Sequence, residues 1–543
     1  MLRKRRHRSV IKMRVKGKRL NHTPRKKVTS CLAVGVIVCG AFSLSACAPL
    51  GPNYQDPDVD WLARWQPELY GQASVAADAL DLSTWWQRFN DPVLDDLIIK
   101  AQHQNPGLKI AGLRILESRA VLGVASGLQY PQVQQLSASG AYVGQQRGGG
   151  EYRDFTSSEA AFNLGWEMDF WGRFRRGVES ADAAYFASVT NHRDAQVLLA
   201  AQVASLYYGI KTTMQRIEIA QNNVTLQQRS YEITEQLYER GQDSELDLQQ
   251  AKSQYLATEA TIPGLQLILQ QQRNALGAVL ARAPNDLPEL DAIDSALPQL
   301  SALSIREIPA QLLLRRPDVR SAAWQAAAQS AQVGIAQADL YPSLSLFGTI
   351  GWSGDSLEAT NDVVSLAAGP SLSWNIFNYG RLKNNVRAQD ARLQQALEGY
   401  RARVLNAARE IDDAASRVAQ TQASQKILDD SLVAAERSLA IATRRYQEGY
   451  SDFQRVLDAQ ARTFRQSDST ITNHGDHIAA IISLYRALGG GWQQATITTL
   501  VPEPTRELMA QRTDWGDLLE APLNNPPAVG SPVATSQEQG ASP

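Results

Sequence analysis

Thiols, imidazoles and carboxylates are the groups in this 543-residue chain that could do chemistry, and their spacing mostly excludes it. All three cysteines, Cys31, Cys39 and Cys47, fall near the N-terminus, so the body of the chain can form no disulfide. The six histidines are scattered. His474 and His477 share a helix face at i, i+3, but no cysteine, histidine or acidic pair at ligand spacing joins them, and a solvated helix face accounts for them better than a metal site. The five methionines (Met1, Met13, Met168, Met214, Met509) form no thioether cluster for a soft metal. No nucleophile elbow or phosphate-binding loop occurs, and Gly148-Gly149-Gly150 reads as a loop tip. Neither catalysis nor a cofactor is expected. One thiol remains of interest, Cys47, at the end of an apolar stretch.

That stretch, Val28 to Ala46, has nineteen residues without a charge and follows a basic run. Residues 1–27 hold 13 Lys and Arg and no acid; the rest has 41 basic against 55 acidic residues, a net charge of −14. The basic balance therefore belongs to a leader, and no basic patch with interleaved aromatics suggests nucleic acid elsewhere. The length would suffice for a transmembrane helix, but the charged, apolar and small-residue zones also fit a signal peptide. The ending decides: Leu44-Ser45-Ala46-Cys47 resembles a bacterial lipobox, in which the cysteine is acylated and becomes the new N-terminus. Ala48 rather than Asp after it favours, by the same resemblance, the outer membrane. The long basic run leaves Met13 as an alternative start.

Two stretches dominate the remainder. Gly380 to Gly449 encloses 68 residues without proline, with Leu397, Val404, Ile411, Val418, Leu432, Leu439 and Tyr446 recurring every seven positions and only Gln425 breaking the row. A second row, Tyr400, Ala407, Ala414, Leu428, Ala435 and Ala442, completes a heptad seam. Gly172 to Gly241 repeats the design, with Val189, Val203, Ile210, Ile217, Val224, Tyr231 and Tyr238 on its seam. Both rods are too charged to lie in lipid.

The chain is a twofold repeat. Asn105-Pro106 to Tyr130-Pro131 aligns with Arg316-Pro317 to Tyr341-Pro342 at an offset of 211, and Trp166 and Gly172-Arg173 align with Trp374 and Gly380-Arg381 at 208. Near the end of each half Ala275-Leu276-Gly277 aligns with Ala487-Leu488-Gly489 at 212, and Pro263-Gly264 marks a break in the first copy only. Each half reads helix, strand, strand, long helix, turn, long helix. The expected organisation is a signal peptide over 1–46, an extended tether over 47–84 and repeat 1 over 85–300 (strands about 130–171, long helices about 172–280). Repeat 2 covers 301–492 (strands about 341–379, long helices about 380–490), and a C-terminal segment covers 493–543, disordered from about 524. In repeat 1 Asp91 is the expected N-cap before Pro92. Phe162, Leu164, Trp166, Met168 and Phe170 alternate with polar residues, as do Leu372, Trp374 and Ile376; polar connections are expected near 147–158 and 353–365. Such alternation suits a membrane barrel or a soluble sheet, and the leader favours the barrel. Four strands cannot close one, and open edges are not tolerated in lipid, so the chain must oligomerise.

Cys47 followed by Gly51-Pro52-Asn53-Tyr54-x-x-Pro57 resembles the mature start of OprM-type outer-membrane efflux lipoproteins of the TolC-like family. So do Trp85-Trp86-x-x-Phe89-x-Asp91-Pro92, Trp166-Glu167-x-Asp169-x-Trp171-Gly172-Arg173, Arg315-Arg316-Pro317-Asp318-Val319-Arg320, Leu457-Asp458-Ala459-Gln460 and Ala487-Leu488-Gly489-Gly490-Gly491-Trp492. The resemblance implies a mixed α/β membrane protein, a homotrimer with a 12-stranded β-barrel and a periplasmic α-helical tunnel. It further implies a passive exit duct for small molecules such as drugs, served by a periplasmic adaptor and an inner-membrane pump. The turns Gly241-Gln242-Asp243 and Gly449-Tyr450-Ser451-Asp452 correspond to adaptor-facing tips, and Asp458 and Tyr446 to the periplasmic aperture. A neighbouring family acid falls on Arg455 and a gate arginine of TolC on Ser451, so the closing network differs. The competing reading, a coiled-coil lipoprotein that tethers the envelope without a conduit, leaves the alternating strands without a purpose.

Overall fold

The computed structural model describes residues 49–59, 61, 75–76, 82–146, 148–291, 293–300, 305–307, 310–354 and 362–527. The leader and Cys47 lie outside the described residues. Each repeat begins where a polar side chain and a proline start a helix. Asp91 accepts from the amides of Val93 and Leu94 at 3.2 and 3.4 Å, capping α1 (Pro92–Gln104). Asn105 accepts from Leu108 at 3.0 Å, capping α2 (Pro106–Gly127).

The sheet comes next. β2 (Val133–Gln146), β3 (Tyr152–Met168), β5 (Ser343–Gly354) and β6 (Val363–Ser373) form an antiparallel meander in the order β2-β3-β5-β6. Register aligns a row across all four strands: Leu136, Phe162, Ile350 and Leu366. Trp166 faces Leu346, and Leu344 faces Leu372 on the same side. The other side carries Ser137, Ala161, Gly351 and Ser365 in one row and Gln135, Asn163 and Thr349 in the next, with Thr349 donating to Asn163 at 2.9 Å. One apolar and one polar face, both solvent-accessible in the single chain, are what a barrel wall between lipid and water requires. Two strand boundaries differ from expectation. β3 already starts at Tyr152 and β6 at Val363, inside the expected connections, whereas Trp374 and Ile376 lie beyond the last strand. Ladder hydrogen bonds need only backbone, so pairing runs on through the polar residues Thr156, Ser157 and Ser158 where side-chain alternation is lost.

The rods are α3 (Arg173–Glu239) and α8 (Arg381–Gln447), each of 67 residues and about 100 Å long. Gly172 and Gly380 precede them at φ 76° and 81°, a conformation that only glycine adopts at little cost. The second rod returns as one helix, α9 (Phe453–Ala487). The first returns as two, α4 (Glu245–Glu259) and α5 (Thr261–Val279). α4 ends at Glu259 because the ring of Pro263 clashes with the carbonyl four residues earlier. The heptad seams carry the packing: Val404, Ile411 and Val418 are buried, and Leu432, Leu439 and Tyr446 half-buried. Gln425, the break in the row, accepts from Asn473 of α9 at 2.8 Å.

α6 (Ala310–Arg315) and α7 (Pro317–Ala338) open the second repeat. α2 packs on α3, and α7 packs on both α3 and α8; no such packing joins α8 to α2. Arg316, buried, donates to Asp318 at 3.0 Å, to Glu410 at 2.8 Å and to the Ala487 carbonyl at 2.7 Å, tying α7 to α8 and α9. Tether residues Val75–Ala76 (β1) pair with Ile305–Glu307 (β4), so the tether is joined to the start of repeat 2. After Trp492, α10 (Ile497–Leu500) and α11 (Glu503–Arg512) cover Ile115, Leu116, Tyr185, Phe186 and Trp324. Asn524 and Asn525, at the expected onset of disorder, are fastened instead: they accept from Tyr185 at 3.2 Å and Arg193 at 2.9 Å. The remainder of that expected segment, 528–543, lies outside the described residues.

Candidate functional site

The end of the molecule formed by the two helical turns is where the expected site residues gather. Both turns are built alike. After α3, the amides of Gly241 and Gln242 donate to the carbonyls of Tyr238 and Leu237, each at 2.8 Å; after α8, those of Gly449 and Tyr450 donate to Tyr446 and Arg445 at 3.0 and 2.8 Å. These are Schellman closures, and they require the left-handed φ of 71° at Gly241 and 76° at Gly449.

The turns differ in how they start the returning helix. Ser244 caps α4, accepting from the Asp247 amide at 3.2 Å while its hydroxyl donates to the Asp247 carboxylate at 2.5 Å. Asp452, the residue before α9, makes no side-chain cap bond. Asp243 accepts from the Ser244 amide at 2.9 Å through one oxygen; its other oxygen is buried without a protein partner. Burial, with Asp247 close by, pushes the Asp243 carboxyl above the usual carboxylate range.

Phe453, Val456 and Leu457 of α9 and Ala251 of α4 are buried together, with Tyr231, Leu439, Ala442 and Tyr446 packed around them. Tyr446 lies 5.0 Å from the Phe453 ring. Burial raises its hydroxyl pKa, and the acids Asp243 and Asp247 of the first turn add to the rise. The structure thus brings Tyr446 of one hairpin into the field of the other.

Asp458 and Arg455 go elsewhere. Both are exposed, on the face of α9 opposite Val456 and Leu457, and Asp458 accepts from Gln454 at 3.2 Å. That face continues through Arg462 and Arg465, which line the same side of the helix. The spacing 455, 458, 462, 465 is a heptad stripe on the non-seam side, legible in the sequence but not singled out there. Tyr450, 80% exposed, and Leu246 leave apolar surface at the two tips. Two links between hairpins also had no local signal: Arg216 grips Asp468 at 2.7 and 3.1 Å, and Gln460 donates to Ser230 at 2.9 Å. The paired histidines point apart: His474 meets the Pro298 carbonyl at 3.1 Å and His477 the Thr421 hydroxyl at 2.9 Å.

Comparison with known proteins places these features. The chain is 30% identical over 472 residues to the cation efflux system protein CusC of Escherichia coli O6:H1, covering 84% of this chain and 98% of that protein. It is 28% identical over 484 residues to the toluene efflux pump outer membrane protein TtgF of Pseudomonas putida, covering 85% and 97%. Among solved structures the outer-membrane channel OprN superposes with a TM-score of 0.73 at 30% identity, over 82% of this chain and all of that one. Residues 97–282 and 308–490 match the family described as outer membrane efflux protein. With long paired helices, a four-stranded sheet having one apolar face, and these matches across both repeats, the chain belongs to the outer membrane efflux protein family.

Proposed function

We propose that three copies of this chain close into one conduit, a 12-stranded barrel in the outer membrane continued by a helical tunnel across the periplasm, and that the conduit passively discharges small molecules delivered by an inner-membrane pump through a periplasmic adaptor. As a member of its family the protein is an outer-membrane efflux channel with a large periplasmic part.

The observation that carries closure by further copies is the broken pseudo-symmetry of the seams. Within the chain, α3 of repeat 1 meets α7 of repeat 2, and there Trp171 stacks on Tyr341 with centroids 4.6 Å apart and donates to the Pro342 carbonyl at 2.8 Å. The repeat offsets map Trp171 to Tyr379 and Tyr341 to Tyr130. In the single chain these are 104% and 69% exposed. Their seam, α8 against α2, is left open and fits a second copy, as do the unpaired edges of β2 and β6. The test is cross-linking of a Tyr379→Cys, Tyr130→Cys double variant with a short bismaleimide in intact membranes. A ladder ending at three chains is expected; a protein that stays monomeric would sink the reading.

Cys47 is the proposed acylation site, adding a lipid anchor to the barrel. The tips Gly241–Asp243 and Gly449–Asp452, with Tyr450 and Leu246 exposed, are the proposed adaptor contacts. Tyr446 would hold the two hairpins together at the closed end. Asp458 would ring the aperture, but the stripe around it supplies three arginines, Arg455, Arg462 and Arg465. Stacked rings of opposite charge follow from threefold symmetry. Asp458→Ala should therefore leave a positive mouth and shift reversal potentials in planar bilayers towards anion preference; unchanged selectivity would remove Asp458 from the constriction. The names of the relatives span cations, pyoverdine and toluene, which fits a wall that does not select its cargo.

A further inference from the structure

We infer that Arg176 is a receptor for the mature N-terminus: a buried guanidinium that grips the strap Leu50–Asn53, staples the two repeats together, and thereby fixes the end of the chain that the proposed acylation of Cys47 would carry into lipid. Arg176 sits in the first turn of α3 and is 2% exposed. Its Nε donates to the Leu50 carbonyl at 2.9 Å, and its Nη2 donates to the Gly51 carbonyl at 3.1 Å and the Asn53 side chain at 2.8 Å. Nη1 donates to Glu179 at 2.6 Å, which balances the buried charge. The strap answers with its own amide, Leu50 donating to the Trp171 carbonyl at 3.0 Å. Ser330 of α7 donates to the Pro52 carbonyl at 3.2 Å, so the strap is held from both repeats.

The fit is tight enough to demand two glycines. A Cβ on Gly51, whose φ is 95°, would stand 2.4 Å from the Gly334 Cα; a Cβ on Gly334 would stand 2.5 Å from the Leu50 carbonyl and 2.9 Å from the Arg176 Cγ. The strap backbone, the guanidinium and the back of α7 leave no room between them.

The second repeat is an internal control. At the pseudo-equivalent seam Asn384 of repeat 2 stands where Arg176 does, and Gly123 of repeat 1 where Gly334 does. In the single chain a Cβ on Gly123 would meet nothing within 4 Å, and Asn384, exposed there, carries no guanidinium to grip a strap. A rod of the same length therefore starts from the same kind of glycine without an arginine clamp, so the clamp is not a requirement of starting the helix. It exists where the strap arrives. Two residues, Ala48 and Pro49, separate Leu50 from Cys47, three steps of chain that reach at most about 11 Å. A pull on a lipid at Cys47 is then borne by Arg176 at the junction of sheet and rod, instead of by the longer tether.

The experiment is hydrogen exchange on the oligomer purified from membranes, comparing Arg176→Lys, which keeps the charge but not the fork, with Gly51→Ala, which blocks the strap and leaves the helices untouched. Both variants should speed exchange of the Leu50 amide roughly 100-fold, while α3 between Tyr185 and Ile210 and the four strands keep wild-type protection and radioactive palmitate still labels Cys47. Wild-type exchange at Leu50 in both variants overturns the clamp, and so does release of the strap only together with loss of α3 protection. Absence of palmitate label from the wild-type protein would remove the acylation reading alone; the exchange result would still decide the clamp.

Discussion

The two rods are alike in length, in the glycines that start and stop them and in their heptad seams, yet they are buried differently. In α3 buried residues recur from Arg176 to Thr234, whereas in α8 none lies between Leu382 and Tyr400, and none after Val418. Helix propensity and seam pattern are shared, so neither explains the gap. Neighbours do: α3 lies between α2 and α7 and is covered further by the strap and by α10 and α11, whereas α8 packs on α7 and on its hairpin partner α9 and has no helix where α3 has α2. The difference marks the edge of the protomer and says which face another copy must cover.

The sharpest way to break the comparison is at its aromatic pair. Trp171→Ala removes the stack on Tyr341 and the bond to Pro342 and should cost the folded chain about 3 kcal/mol. Tyr379→Ala touches a side chain with no cover in the single chain; it should leave chain stability unchanged and lower only the temperature at which the detergent-resistant oligomer dissociates on a gel. Equal effects of the two variants on chain unfolding would mean that both seams are closed within one chain, and would break the comparison.

Burial along α3 also has a titratable signature. Asp182 is 4% exposed, one of its oxygens has no partner, and burial pushes its carboxyl up to about 6. The counterpart in α8 is Asp390, which is far more open to solvent. A carboxyl whose folded pKa is raised adds stability at low pH that is lost as pH rises from the unfolded value, near 4, through about 6. Asp182→Asn should therefore stabilise the protein by about 2 kcal/mol at pH 7.5 and by almost nothing at pH 4. Calorimetry at the two pH values reads this directly, and a pH-independent difference would contradict the burial argument.

The rods, their glycine stops, the break before Pro263 and the apolar face of the sheet were legible because each rests on local spacing. What was not legible rests on long-range contact. The run Arg173-Phe174-Arg175-Arg176 looks like a solvated basic patch at a helix start, and nothing nearby says that its last arginine meets a strap more than 120 residues away. Tyr152 to Ser158 joins β3 although the segment is polar, because its partner strand supplies the ladder. The candidate gate divided for the same reason. Tyr446 packs on Phe453 of its own hairpin in a cluster that Tyr231 and Ala251 of the other hairpin join, whereas Asp458, one helix later, points away from that cluster.

The smallest expected effect lies in the seam of α8 itself. Gln425 interrupts the apolar row and accepts from Asn473, which also donates to the Thr421 carbonyl at 3.0 Å. Replacing Gln425 by Leu completes the heptad row and gains apolar contact, while Asn473 keeps its bond to the backbone. The two terms nearly cancel, so equilibrium stability should change by less than about 1 kcal/mol. A polar group in an apolar seam acts on register more than on strength, since slipped pairings leave it without a partner. The α8 segment of Gln425→Leu should then show two exchange populations by mass spectrometry where the wild type shows one. A single population, together with a large loss of stability, would mean that Gln425 supports the helix pair instead of choosing its register, and that the second rod depends on polar contacts where the first depends on burial.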